Sequence, residues 1–360
     1  MTLHPLFGHR VEQDRVLRAI RDHRLPQGLL ITGPEGVGKQ RFALWVAQAL
    51  LCEDAQAPCG RCQGCRLVLE LGHPDLHWLA PVLRPKASEP DKQVEDLAEA
   101  LGELMAERRK QPLYQPAEGL AGHFVATARL LQRRAALTPV QGRKKVFLLP
   151  LAERLVPQES SPEAANALLK LLEEPPADCQ FLLTTEDAHR LLPTIRSRVV
   201  PLRLGRLPDA EVERFLAAHG GMAGATLKGR VTAARGSIGR ALAAGEGPQK
   251  ARRSATELLQ AIGGGPGTRA ERALKQGPFA ARGDFTAMLD ALAGELSLLA
   301  RGVSGAGPAV VPEGLRQQPT LAAIVAAQAR VAEAREAAQG NVNPQLLLAT
   351  LTEDLAEVLT

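Results

Sequence analysis

The sequence predicts an α/β phosphate-loop domain with a parallel sheet and an inserted zinc module, followed by a small helical domain and an all-helical C-terminal domain. Three observations predict it. Short apolar runs alternate with helical patterns up to about residue 205, as buried parallel strands joined by helices do. One such run, Leu29–Thr32, leads into Gly33-Pro-Glu-Gly36-Val-Gly38-Lys39 and then into an apolar helical pattern through Phe42, Leu44, Trp45 and Ala47. Beyond residue 247 no strand is evident, and helical patterns are separated by Gly/Pro-rich breaks. The expected divisions are 1–205, with the zinc module at 52–65 and an insertion at 81–122, then 206–247 and 248–360.

Composition narrows the function classes. The chain has 360 residues, 45% apolar and 3% aromatic, enough for two or three domains. A net charge of +5 permits a nucleic-acid or acidic-protein partner without requiring one. There is no membrane-length apolar run, and the opening Met1–Gly8 lacks the basic-then-apolar pattern of a secretory signal. A cytoplasmic location away from membranes is therefore expected. Five cysteines, four of them crowded together, then point to metal rather than disulfides.

Taken in order, Gly8–His23 reads as an amphipathic helix with Val11, Val16, Leu17 and Ile20 on one side. Leu25–Gly28 breaks it and feeds the first strand. In the loop that follows, Gly33, Gly36 and Gly38 allow the backbone to turn its amides towards a phosphate, and Lys39 supplies charge. Gln40 stands where Ser or Thr would place a hydroxyl on Mg²⁺. The loop keeps its phosphate-binding parts and lacks one part of its metal machinery. Nucleotide bound without turnover is one reading of that combination.

Cys52, Cys59, Cys62 and Cys65 follow at C-x6-C-x2-C-x2-C spacing, which suits four thiolates around one Zn²⁺. All four positions are filled by protein, so the ion is expected to be structural; an iron–sulfur cluster is the alternative for such a quartet. Cys179, just before a predicted strand, reads as core, and His73 and His77 read as loop or packing residues rather than ligands. Pro81–Gly122 reads as a surface excursion carrying an amphipathic helix over Val94–Arg109, with a loop at 111–116. Its end, Arg108-Arg-Lys110, reads as an exposed charged helix terminus.

Val125–Ala136 is a further helix. Arg143-Lys-Lys145 leads into the buried strand Val146–Leu149, which ends in Pro150-Leu151 rather than in the acids that hold Mg²⁺ and polarise water in a phosphate-loop ATPase. Glu153 comes too late along the chain and is expected to face elsewhere. A helix over Ser161–Glu174 stops at Pro175-Pro176. Gln180–Thr185 is a strand ending in hydroxyls, and Val199–Leu204 is the last strand. Asp209 caps the next helical segment, Ser237 caps a short helix after it, and Gly245–Gln249 is a linker. Helices are then expected at about 251–263, 267–276, 283–302, 319–339 and 344–359.

Several of these segments occur together in one order: Arg24–Pro34, the cysteine quartet, Gly72-His-Pro-Asp75, Leu137-Thr-Pro139, Ala164–Pro175, Ser197-Arg198 and Asn341–Leu348. In that order the chain resembles the bacterial clamp-loader subunits of DNA polymerase III, a branch of the AAA+ ATPases. The resemblance covers nearly the whole chain, the insertion excepted. It implies an AAA+ domain, a helical lid at 206–247 and a helical collar at 248–360. It also implies gamma/tau and delta subunits as partners, with the sliding clamp and primed DNA met through the complex. The family contains ATP-hydrolysing motors of the gamma/tau type and a stator type, delta-prime, with degenerate nucleotide sites. Gln40, Pro150 and Leu151 place this chain with the stators, and it lacks the long tail of the tau form. By the same resemblance Arg198 is an arginine finger offered in trans to a neighbour's ATP, and Arg240 is a lid arginine with either a nucleotide-facing or a structural role. The expected cofactors are Zn²⁺ and, at the degenerate loop, ATP or ADP. A chain lacking the carboxylate cluster of two-metal nucleotidyl transfer is not itself a polymerase. Two other readings stay open: an ATP-hydrolysing gamma/tau-type motor, supported by the intact glycine loop, and a zinc-containing DNA-binding module, suggested by the basic runs.

Overall fold

The structure, a computed structural model, describes all residues except 1, 2, 5, 111–120, 156–162, 220–223, 243–245, 278–282, 306–314, 316, 317, 339–341 and 360. The loop expected at 111–116, the helix start at Ser161, Gly245 of the linker and Asn341 lie outside the described residues. The chain divides into two compact units, residues 1–243 and 244–360.

The first unit runs α1 (Arg10–Arg21), β1 (Gly28–Thr32), α2 (Lys39–Leu51), α3 (Gln63–Leu69), β2 (Leu76–Trp78), α4 (Pro90–Lys110), α5 (Val125–Ala135), β3 (Lys145–Leu149), α6 (Glu163–Glu173), β4 (Cys179–Thr185), α7 (Pro193–Arg196), β5 (Val200–Arg203), α8 (Asp209–His219), α9 (Gly224–Ala234) and α10 (Ile238–Leu242). The sheet is parallel throughout, in the order β2-β3-β4-β1-β5. Its interior strands β1, β3 and β4 are apolar because helices cover both faces; Phe147 and Phe181 stack at 5.4 Å between ring centroids in the middle of that core. The edges are short. On β5 Pro201 withholds a backbone donor, which discourages further strand pairing. The strand β2 went unseen in the sequence because three residues, Leu-His-Trp, carry no readable period; only pairing with Val146–Leu148 makes them a strand.

Two expectations change here. The segment 81–122 is not a free surface excursion: Val82 and Gly122 bridge its two ends, and α4 sinks Val94, Leu97 and Leu101 into the main core. Apolar residues at that spacing form one helical stripe, and a stripe finds a core. On α1, Val16 is buried but Val11 is exposed, because five residues at about 100° each set it about 140° round the helix from Val16.

The basic runs are also less available than their sequence suggests. Lys145 is 2% exposed. Its ammonium donates to the carbonyls of Ala135, at 2.7 Å, and Leu137 and pairs with Asp178 at 3.2 Å, so it closes the C-terminal end of α5. Arg109 donates to the Leu71 carbonyl at 2.9 Å, Arg108 lies over the Trp78 ring, and Arg133 pairs with Asp91.

Helices α8 to α10 share a small core of Leu207, Val212, Phe215, Leu216, Leu227 and Val231. The second unit is helical among its described residues: α11 (Glu246–Ile262), α12 (Pro266–Leu274), α13 (Asp284–Val303), α14 (Leu321–Ala337) and α15 (Pro344–Leu359). The first of these begins inside the stretch expected to be a linker. Its core is a leucine-rich cluster including Leu258, Leu289, Leu292, Leu296 and Leu355, and Thr320 caps α14 by accepting from Ala323 N–H. No helix among the described residues is long and apolar enough to cross a membrane.

Candidate nucleotide loop, metal cluster and arginine

The glycine loop leaves β1 at the C-terminal edge of the sheet and enters α2. Gly36 and Gly38 have φ of 69° and 103°, and Gly33 has 153°. At Gly36 a side chain is doubly excluded, since a Cβ there would lie 2.3 Å from Ser237 Oγ. Lys39 is 7% exposed, and its Nζ donates to Gly33 O at 2.9 Å and Pro34 O at 2.8 Å. The next three carbonyls are also engaged. Ser237 Oγ donates to Glu35 O at 3.0 Å, Gly239 N to Gly36 O at 2.8 Å, and His9 Nε2 lies 2.8 Å from Val37 O. The loop is thus held from three sides: by its own lysine, by the start of α10, and by the residue before α1. Ser237 also accepts from Arg240 N–H at 3.2 Å, as a cap for α10, and Arg240 pairs with Glu35 at 3.3 Å. Arg240 therefore has a structural contact with the loop.

Gln40, Pro150 and Leu151 stand at the positions where the phosphate-loop pattern carries its metal-binding groups. The side-chain oxygen of Gln40 is buried, with no hydrogen-bond partner in the described structure. Pro150 gives only its carbonyl, which lies 2.8 Å from the buried His123 Nε2, and Leu151 turns the chain with φ of 52°. Burial holds His123 well below the usual histidine range, at about 4. Glu153, in the turn after β3, lies within electrostatic reach of Lys39.

One residue of this site was missed. The register sets Thr185 beside Thr32, so Glu186 emerges next to Gly33, and its carboxylate stands 3.6 Å from Lys39 Nζ. Burial lowers the Lys39 pKa, while Glu186, Glu153 and Glu35 oppose that shift. The available signal was an acid directly after a strand that ends in hydroxyls.

The four sulfurs of Cys52, Cys59, Cys62 and Cys65 lie within 4.8 Å of one another, and those of Cys52 and Cys62 are 3.8 Å apart. Tetrahedral thiolates at about 2.3 Å from a zinc ion would be spaced about 3.8 Å apart, so the cluster fits one ion. Backbone N–H groups of Asp54 and Cys59 point at Cys52 Sγ, Cys62 N–H at Cys59 Sγ, and Cys65 N–H at Cys62 Sγ, all at 3.3–3.4 Å. Backbone donors from Arg61 and Cys62 bring Cys59 down to about 6, whereas burial pushes Cys65 up. The histidines do other work. His73 Nδ1 accepts from Asp75 N–H at 3.1 Å, and His77 stacks on Phe147, with burial bringing it down to about 4. Cys179 is the buried first residue of β4 and burial raises its thiol to about 11.

Arg198 follows α7. Its guanidinium donates to Thr194 O at 2.8 Å and pairs with Glu173 at the end of α6; its side chain is 31% exposed. The structure does not bring it to the chain's own glycine loop through any of these bonds, and the three groups of predicted site residues stay separate.

A parallel sheet in this order, with a glycine loop leaving an interior strand and a helical domain seated on that loop, defines an AAA+ phosphate-loop fold. Residues 10–208 match the family described as DNA polymerase III, delta subunit, and the chain belongs to that family. The DNA polymerase III subunit delta' of Pseudomonas aeruginosa is 35% identical over 173 residues, 48% of this chain and 40% of that protein. The subunit delta' of Escherichia coli is 30% identical over 240 residues, 66% of this chain and 60% of that one. The subunit tau/gamma of Haemophilus influenzae is 30% identical over 217 residues, 59% of this chain and 25% of that protein. The matched stretches therefore span less than two thirds of each relative's length.

Proposed function

We propose that this chain is the stator, delta-prime, of a DNA polymerase III clamp loader: it holds structural zinc on its cysteine quartet, does not hydrolyse ATP, and lends Arg198 to an ATP site on a neighbouring motor subunit. The observation that carries the reading is the end of β3, where Pro150 and Leu151 offer neither a metal ligand nor a base. In such an assembly gamma/tau and delta subunits are its partners, and the sliding clamp and primed DNA are what the complex acts on. Arg198 suits the task because a guanidinium stays charged and spreads its donors over phosphate oxygens. To act in trans it exchanges Glu173 for a phosphate, and a one-third-exposed side chain can make that exchange.

With Arg198→Ala in the reconstituted complex, the ATPase is expected to lose the share carried by the one site it serves, since a finger contributes about 10³-fold or more to turnover there. Unchanged turnover would overturn the assignment. A gamma/tau-type motor is the second reading, favoured by the intact Gly33–Lys39 loop and the tau/gamma relative. Mg²⁺-dependent hydrolysis by the purified chain, abolished by Lys39→Ala, would bring it forward. The DNA-binding-module reading loses ground with Lys145 buried and Arg133 paired.

A further inference from the structure

We propose that Glu186 is an internal anion seated at the phosphate end of the glycine loop, and that this carboxylate keeps the terminal phosphates of a nucleotide out. This rests on the stator reading and goes beyond it by naming what closes the site. The loop itself is sound. Its glycines have the required left-handed geometry, its carbonyls from Gly33 to Val37 are all held, and Lys39 is fixed on two of them. An ammonium this buried needs a counter-charge, and the nearest carboxylate, at 3.6 Å, is that of Glu186. The parallel register of β1 and β4 brings the two residues together, because Glu186 follows Thr185 and Thr185 lies beside Thr32.

The surroundings add to the effect. Glu153 and Glu35 are also within electrostatic reach of Lys39. The arginine that could offset them, Arg240, is engaged with Glu35 at 3.3 Å, and Ser237 and Gly239 pin α10 to the loop. An incoming polyphosphate meets a lysine whose charge is already balanced by a carboxylate 3.6 Å away. The Glu186 side chain is 35% exposed, so the plug is accessible and its replacement takes the counter-charge from Lys39 without opening the core.

The test is calorimetric titration of the full chain with inorganic pyrophosphate and with ADP, both without Mg²⁺. Wild type is expected to bind in the millimolar range or weaker, Glu186→Gln at least tenfold more tightly, and Glu186→Gln with Lys39→Ala no better than wild type. Glu186→Asp, which keeps the charge, is expected to stay weak. Equal affinities for wild type and Glu186→Gln overturn the proposal. Glu186→Thr replaces the Gln variant if circular dichroism shows that one unfolded, and micromolar pyrophosphate binding by wild type overturns the proposal with no variant needed. ATP turnover by the wild-type chain, measured separately, sinks the stator reading instead.

Discussion

Asp75→Ala is expected to destabilise the first compact unit by about 3 kcal/mol or more, because hydrogen bonds to a charged group contribute about 1.5–3 kcal/mol each and three amides lose theirs together. Asp75 is 1% exposed. Its carboxylate accepts from the N–H groups of Val140, Gln141 and Gly142 at 2.6, 2.8 and 2.7 Å, and so fixes the turn between α5 and β3. Gly142 in that turn sits against the side chain of Leu51, the last residue of α2. Asp75→Asn keeps one acceptor oxygen and should lose less.

The pH dependence has a definite sign. Burial favours the neutral acid, but the three backbone donors and nearby His73 together outweigh it and hold the Asp75 pKa below the ordinary carboxylate range. A depressed folded pKa contributes stability that is fully present above the unfolded value, about 3.9, and is lost as pH falls through the lower folded value. The penalty of Asp75→Ala should therefore be constant near neutrality and shrink only below about pH 4. Urea titrations of both proteins at pH 7 and pH 3.5 check this; a penalty under 1 kcal/mol at pH 7 would show that the turn holds without its carboxylate.

Removal of the metal ranks second. The proposed zinc closes the chain between α2 and α3 on itself. Without it, the loop keeps N–H contacts to the sulfurs of Cys52, Cys59 and Cys62 and a few local bonds, among them Gln56 N–H and Arg61 to Asp54 and Gly64 N–H to Glu53. Structural zinc contributes about 10–16 kcal/mol in peptides that fold only around it. Here α3 also rests on α2, with Gln48 donating to Cys65 O at 3.2 Å, so part of the module survives. We expect a loss of about 5 kcal/mol, or about 10–20 °C in Tm for a unit of this size. Elemental analysis should find one zinc per chain, lost on Cys62→Ser and retained on Cys179→Ser. Because the ligands must shed protons, and burial raises Cys65, zinc uptake should weaken as pH falls. Full metal content in Cys62→Ser would remove that residue from the ligand set.

Local pattern carries far in this protein. The glycine loop, the cysteine quartet, the interior strands and the five C-terminal helices each announce themselves through residue type and spacing within a dozen or so neighbours. The missing acids at Pro150 and Leu151 are equally local, since they are read against a strand that is itself legible. Partnership is another matter. Whether Lys145 faces water or the end of α5, whether α4 is an excursion or part of the core, and whether an acid after β4 reaches the lysine after β1 all depend on which strands lie side by side. Glu186 and Lys39 are 147 positions apart in the chain, from 186 less 39, and 3.6 Å apart in space. Sequence alone decided what kind of loop this is, through backbone freedom and charge; the parallel register decided which anion the loop already holds, because electrostatic pairing follows distance in space and not order along the chain.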